Sequence, residues 1–132
     1  MSVWRQKALQ IAPELKTDFQ DPALSLYTVL SEFIRLLKEA HQGNDQKKIE
    51  QIYNYAEWCF RQTDKTLWNA AGVSFYEHLA EDEHVFSQVA KWLKRDIYIK
   101  IRGLLLLNTS DERIRILDRQ YGITPETLND EC

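Results

Sequence analysis

No proline occurs between Pro22 and Pro125, and the 132-residue chain holds only three prolines and four glycines. An interior proline removes a helix hydrogen bond and costs about 3 kcal/mol, so this long proline-free stretch is open to helix. Apolar residues recur along nearly all of it at three- and four-residue spacing. Glycine is equally scarce as a breaker: Gly43 and Gly122 fall where helices should end, and only Gly72 and Gly103 interrupt periodic segments. Long hydrophobic runs are missing too. The longest, Leu104 to Leu107, is far short of the roughly 20 residues that span a bilayer, so no membrane is expected. The two cysteines, Cys59 and Cys132, cannot build a disulfide framework, which predicts reduced thiols and a cytoplasmic setting. The first ten residues carry Arg5 and Lys7 but no continuous apolar core, so no secretory signal is expected.

Hydrophobic content of 44% with 28% charge belongs to an ordinary globular chain. A single domain over residues 1–132 is expected, large enough to bury roughly 70% of its unfolded surface. The formal charge of −3 argues against a nucleic-acid backbone as partner.

Local signals divide the chain into helices. Pro13 splits the first segment, Val3 to Phe19, by pushing Ala12 away from helical geometry. Asp21-Pro22 predicts a helix start, with Asp21 as N-cap and Pro22 in the first turn, ahead of the stripe Leu26, Val29, Leu30, Phe33, Ile34, Leu37. That helix should end near His41, with Gly43 as left-handed terminator. Asn44 or Asp45 caps a helix carrying Ile49, Ile52, Tyr53, Ala56, Cys59 and Phe60. Thr63 or Asp64 caps the next, on Leu67, Trp68, Ala71, Phe75 and Leu79. Its small residues Ala70, Ala71, Gly72 and Ser74 predict close approach by a neighbouring helix. Asp82 caps a fifth segment whose series Val89, Leu93, Ile97, Ile101, Leu105 favours one continuous helix, despite strand-like alternation at Ile97, Ile99 and Ile101. Thr109 and Glu112 have capping-box spacing before a helix with Ile114, Leu117 and Tyr121, closed by Gly122. Residues 123–132 form either one loose turn or a frayed tail.

Chemistry-bearing residues are few. Four scattered glycines exclude phosphate-loop and dinucleotide fingerprints, and no nucleophile elbow is present. Cys59 shares a face with Ile52, Ala56 and Phe60, as a buried structural cysteine would. No catalytic residue, metal ligand or cofactor is assigned. The acidic stretch Glu77, Glu81, Asp82, Glu83 with His78 and His84 is the one concentration of metal-ligating types. Glu81 and His84 have Glu-x-x-His spacing, but no second such motif exists, and di-iron bundles require two. The ordinary reading is a solvated acidic helix end.

On a continuous fifth helix Lys91, Arg95, Tyr98 and Arg102 share one stripe. A ring flanked by cations suits an acidic partner, or else forms a solvated outer face. Of four tryptophans, Trp4, Trp58, Trp68 and Trp92, Trp68 has core spacing, whereas Trp58 and Trp92 fall off the stripes. These two either widen the core or meet a partner.

Four stretches occur in a familiar order: Ala12-Pro13-Glu14-Leu15-Lys16, Val29-Leu30-Ser31-Glu32-Phe33-Ile34, Ile49-Glu50-Gln51-Ile52-Tyr53-Asn54-Tyr55-Ala56-Glu57 and Ala70-Ala71-Gly72-Val73-Ser74-Phe75-Tyr76-Glu77-His78-Leu79. They resemble a family of small all-helical bacterial proteins with no assigned function, similar in size and style to the immunity proteins of toxin systems. The resemblance covers roughly residues 12 to 107 and leaves 108–132 as a C-terminal extension. It implies core patterns and transfers no catalytic residue.

The expectation is therefore an all-α fold, an orthogonal bundle or a short right-handed stack of helical hairpins, with about six or seven helices. The expected function is non-catalytic protein binding by an immunity- or antitoxin-like protein that occludes a partner, such as a cognate toxin. Either the acidic face (Glu77, Glu81, Asp82, Glu83) or the basic stripe (Lys91, Arg95, Arg102) would dock it, with Trp92 and Tyr98 as anchors. Two rivals stay open: a metal-dependent enzyme or sensor using His78, Glu81 and His84, and a self-associating scaffold that buries Trp58 or Trp92 in a homo-oligomer.

Overall fold

Ten α-helices and two 3₁₀ turns make up the regular backbone of the computed structural model, which describes residues 2–131 and side chains as far as Leu128; no strand occurs among the described residues. The helices are α1 (Val3–Ile11), α2 (Lys16–Phe19), α3 (Leu26–Gln42), α4 (Gln46–Phe60), α5 (Lys65–Ser74), α6 (Glu83–Phe86), α7 (Val89–Trp92), α8 (Arg95–Asn108), α9 (Asp111–Tyr121) and α10 (Pro125–Glu131). The 3₁₀ turns are Pro13–Leu15 and Tyr76–His78. Met1 and Cys132 lie outside the described residues. The architecture is an all-α bundle: α3, α4 and α5 pack against one another, α1 lies on α4, the Tyr76–His78 turn seats on α8, and α9 closes on α8.

Most boundaries follow local chemistry. Pro13 interrupts the first segment, with Ala12 at φ −128° and ψ 67°. Asp45, Asp64 and Asp82 cap α4, α5 and α6 by accepting from the amides of Lys48, Thr66, and His84 with Val85. Gly122 ends α9 at φ 66°, in a Schellman arrangement where Ile123 N–H donates to Asp118 C=O at 2.8 Å. The expected buried face of α3 is buried throughout.

Several boundaries differ from expectation. Asp21-Pro22 makes a tight turn rather than a helix start. Asp21 C=O accepts from Leu24 N–H at 3.0 Å and its carboxylate accepts from Ala23 N–H at 2.9 Å, a geometry that aspartate and proline favour equally. Ser25 is the actual cap of α3, accepting from Thr28 N–H. The left-handed residue after α3 is Asn44 (φ 55°), while Gly43 stays right-handed. Asparagine tolerates that region, and Asp45 N–H then reaches Ala40 C=O at 2.8 Å. Ser110, not Thr109, caps α9 through Arg113 N–H. The tail from Pro125 is helical through Glu131.

The other two differences are breaks. α5 stops at Ser74, because Phe75 leaves helical geometry (φ −123°, ψ −69°). The expected fifth helix is three: α6, α7 and α8, with Leu93 and Lys94 both extended. The Leu93 carbonyl freed at the end of α7 is taken by the Tyr121 hydroxyl at 2.6 Å; that hydroxyl also lies 3.2 Å from Val89 C=O, which already accepts from Leu93 N–H. Val89, Leu93, Ile97, Ile101 and Leu105 are nevertheless all buried, so the apolar period survives the break that it failed to reveal. Trp68 also departs from expectation: it is 39% exposed.

One buried cluster runs from Ala8 and Ala12 through Phe33, Ile52, Phe75 and Ile101 to Ile114, Leu117 and Ile123. The small-residue segment of α5 does admit a neighbour. A Cβ at Gly72 would stand 3.1 Å from Leu104 Cδ1, whereas one at Gly103 would meet nothing within 4 Å. Gly72→Val should therefore destabilise the protein by about 1–3 kcal/mol through overpacking. Gly103→Ala should instead stabilise it by about 0.5–1 kcal/mol. Urea denaturation of the two variants checks both signs.

Candidate functional site

The break at Leu93-Lys94 divides the expected basic stripe. Lys91 stays on α7, its ammonium 5.1 Å from the centre of the Trp92 ring and 3.3 Å from Gln46 Oε1. Trp92 is half-buried and stacks on Tyr53, with ring centres 6.3 Å apart. Arg95, Tyr98 and Arg102 belong to α8 and turn toward α9. Arg95 Nε donates to Tyr121 C=O at 3.1 Å. Arg102 grips Asp118 with two nitrogens, Nη2 to Oδ2 at 2.7 Å and Nε to Oδ1 at 3.0 Å. Tyr98 is fully buried, stacks on Tyr121 at 4.4 Å, and donates its hydroxyl to Asp118 Oδ1 at 2.7 Å. Tyr98 is therefore no surface anchor. The aromatic ring and its cation join two helices, through an acid lying beyond the reach of helical periodicity.

The acidic stretch is likewise engaged within the fold. Glu77 accepts from Asn108 Nδ2 at 2.9 Å, and Glu81 pairs with His78 Nδ1 at 3.0 Å. Asp82 caps α6. Glu83 pairs with Arg113, whose guanidinium also lies 4.6 Å from the centre of the Phe86 ring and donates to Ala80 C=O. Glu77 and Glu83 thus tie this stretch to α8 and α9, while Glu81 and Asp82 are engaged locally. Among the described residues, no group of three or more His, Cys, Asp or Glu side chains is placed to hold a metal ion. Cys59 is fully buried, and that burial pushes its thiol up to about 12.

A different surface is available. Trp68, Val73, Leu106 and Leu107 are exposed, Leu107 by 69%. Between α5 and α8 runs a groove of about 250 Å³ with Gly72 on its floor, Trp68 and Val73 on one side, and Lys100 and Leu104 on the other. Helical spacing sets Leu107 one turn beyond Leu104, on the same edge as Lys100. The outer face of α8 continues the apolar surface through Ile99, Gly103 and Leu106. These residues escape the core-facing series of α8, so a search for that helix's second apolar face would have found them. Trp58 and Trp92 are covered: the Lys7 ammonium lies 5.0 Å from the Trp58 ring centre, as Lys91 does over Trp92.

Burial alone would raise the pKa of Asp118, but hydrogen bonds from Arg102 and Tyr98 outweigh it and hold the carboxyl below its ordinary value. A depressed carboxyl stabilises the fold above its unfolded pKa, and that contribution is lost as pH falls through the folded value. Asp118→Asn should cost about 1–3 kcal/mol at neutral pH. The difference from the native chain should shrink once pH drops below about 4, which urea denaturation across the acid range measures.

Among the described residues no helix is long and apolar enough to cross a membrane. No curated protein and no solved structure matches the chain. Residues 5–107 match the family described as a domain of unknown function, DUF7674, and the chain belongs to that family.

Proposed function

We propose that this protein binds another protein without catalysis, through the apolar surface shared by α5 and α8. In doing so it would restrain that partner as an immunity or antitoxin-like protein does. The observation that carries this reading is the exposure of Trp68 and Val73 on a groove lined by Gly72, with exposed Leu107 one helical turn beyond the lining residue Leu104. Single exposed leucines are ordinary, but a contiguous apolar surface with a tryptophan at its edge has the composition of an interface centre. Lys100 on one rim and Lys65, one turn before Trp68, add a cationic border. An amphipathic helix with an acidic flank fits such a groove, its apolar face replacing water over Gly72 and Leu104. The bacterial cytoplasm is the setting we propose, in keeping with the toxin-immunity resemblance and the unpaired, buried Cys59. Specificity would rest on shape and apolar contact, because the acidic stretch and most of the basic stripe are committed to internal pairs.

A photo-crosslinking residue at position 107, with a control at exposed position 50, identifies the partner in the native host. An adduct at 107 and none at 50 is expected. Purified with that partner, Trp68→Ala and Leu107→Asp should each weaken binding by about 30-fold or more. Leu107→Asp should leave the unfolding free energy within about 0.5 kcal/mol of the native value, whereas Trp68→Ala, which removes the ring of a residue only 39% exposed, should cost about 1–3 kcal/mol, so binding is compared where both variants remain folded. The native chain should also inhibit the partner's activity stoichiometrically. Absence of an adduct, unchanged affinity in both variants, or a bound but uninhibited partner would defeat the proposal. An adduct between two copies of this chain would replace it with self-association.

A further inference from the structure

A second pocket, of about 250 Å³, lies where the last turn of α3 meets the first turn of α4 and the α6–α7 segment. His41, His84 and Lys91 line it, with Asn44, Gln46 and Ser87 beside them, and no carboxylate is among its lining residues. Three sequence-distant elements thus bring two imidazoles, an ammonium, three amides (Gln88 is the third) and a hydroxyl to one small space. The left-handed turn at Asn44 makes this possible by folding α4 back against the end of α3.

Two details mark the pocket as a site rather than a gap. The Nε2 atom of His41 has no hydrogen-bond partner, which is exceptional for a buried polar atom; it is closed off from water, so an anion in the pocket reaches it only by a turn of the imidazole ring. Lys91 is held in place by Trp92 and by Gln46 Oε1. Gln46 Nε2 in turn donates to Asn44 Oδ1 at 2.6 Å, so the two amides fix each other's orientation. Burial pushes the His41 imidazole below its ordinary pKa; nearby Asp82 opposes that shift, and His84 and Lys91 add to it. Asp82 is itself engaged by the amides of His84 and Val85. The adjoining acid of α4, Asp45, accepts from Lys48 N–H. Lys91 thus brings a fixed positive charge to a pocket with no carboxylate in its lining, and an anion bound beside it would favour the protonated form of the His41 imidazole that burial disfavours.

We propose that this pocket binds a small tetrahedral oxyanion of the phosphate class, held by Lys91, His41 and His84 and oriented by the side-chain NH₂ of Asn44, whose Oδ1 already accepts from Gln46. The volume holds one such group with a few waters and is below the usual size of a drug-like ligand site. The ligand is therefore a free ion or the phosphate of a small monoester. Because bound anion favours protonated imidazole, affinity should rise as pH falls from about 8 to about 6. Sulfate keeps its charge over that range, so with sulfate the dependence reports the protein alone.

Imidazole resonances of the full chain, followed by NMR at constant ionic strength, test this with sulfate, inorganic phosphate and glycerol 3-phosphate. Saturable shifts are expected at His41 and His84 but not at His78, which pairs with Glu81 away from the pocket lining. Lys91→Ala should weaken sulfate binding by about tenfold or more, and Lys91→Arg should restore most of it. Lys91 is exposed, so the variants should melt like the native chain. Monoester binding as tight as phosphate identifies a metabolite ligand, and binding of the inorganic ions alone identifies a free oxyanion. Non-saturable shifts, equal shifts at His78, undiminished binding by Lys91→Ala, or saturation by zinc but by no oxyanion would overturn the proposal.

Discussion

Aromatic rings hold the centre of the bundle in register. Phe33 of α3 meets Tyr55 of α4 edge-on at 5.0 Å, while Tyr53, on the adjoining face of α4, meets Phe75 at 6.0 Å. Phe75 and Tyr76 in turn contact each other at 5.4 Å, and Tyr76 meets Phe60 at the same distance. These contacts require α5 to end where it does. A continued helix would carry Phe75 and Tyr76 round to successive faces, whereas the break at Phe75 directs both rings inward. The hydroxyls of Tyr53 and Tyr76 find no partner there, a cost that ring burial outweighs.

That break also decides what lies outside. The turn Tyr76–His78 seats on α8 and brings it alongside α5, close enough for Leu104 to touch the bare backbone at Gly72. Held on one flank by α5, α8 is held on the other by the Arg102–Asp118–Tyr98 bonds and the Tyr98–Tyr121 stack. Its two neighbours cover the core-facing residues and the Arg102 edge. The remaining face, with Gly103, Leu106 and Leu107, stays in water. An apolar face left by such firm packing is a built feature of the fold, not a consequence of fraying.

The second break, at Leu93-Lys94, separates two jobs that a single long helix would have merged. On one side Lys91 lines the polar pocket beside α3 and α4, and Trp92 stacks on Tyr53 of α4. On the other, α8 presents its apolar surface toward α5. Charged groups near both regions are mostly paired at short range, as in Arg61 with Glu57 and Asp96. Exposed pairs of that kind contribute little stability, so they tune the surface while burial holds the fold.

Local chemistry was legible in the chain itself. The helical period, the caps at Asp45, Asp64 and Asp82, the stop at Gly122 and the split at Pro13 each depend on atoms within a few residues of one another. Sequence by itself therefore determined an all-helical domain, its buried faces and most of its capping. Tertiary structure alone decided where α5 and the fifth segment break, because Leu93 is released from helix only when the Tyr121 hydroxyl, 28 residues away, takes its carbonyl. It also decided that Tyr98 and Arg102 serve Asp118 and that Trp68 faces water. Hydrophobicity states which side chains leave water in favourable company, but the company is supplied by distant segments whose positions no local spacing records.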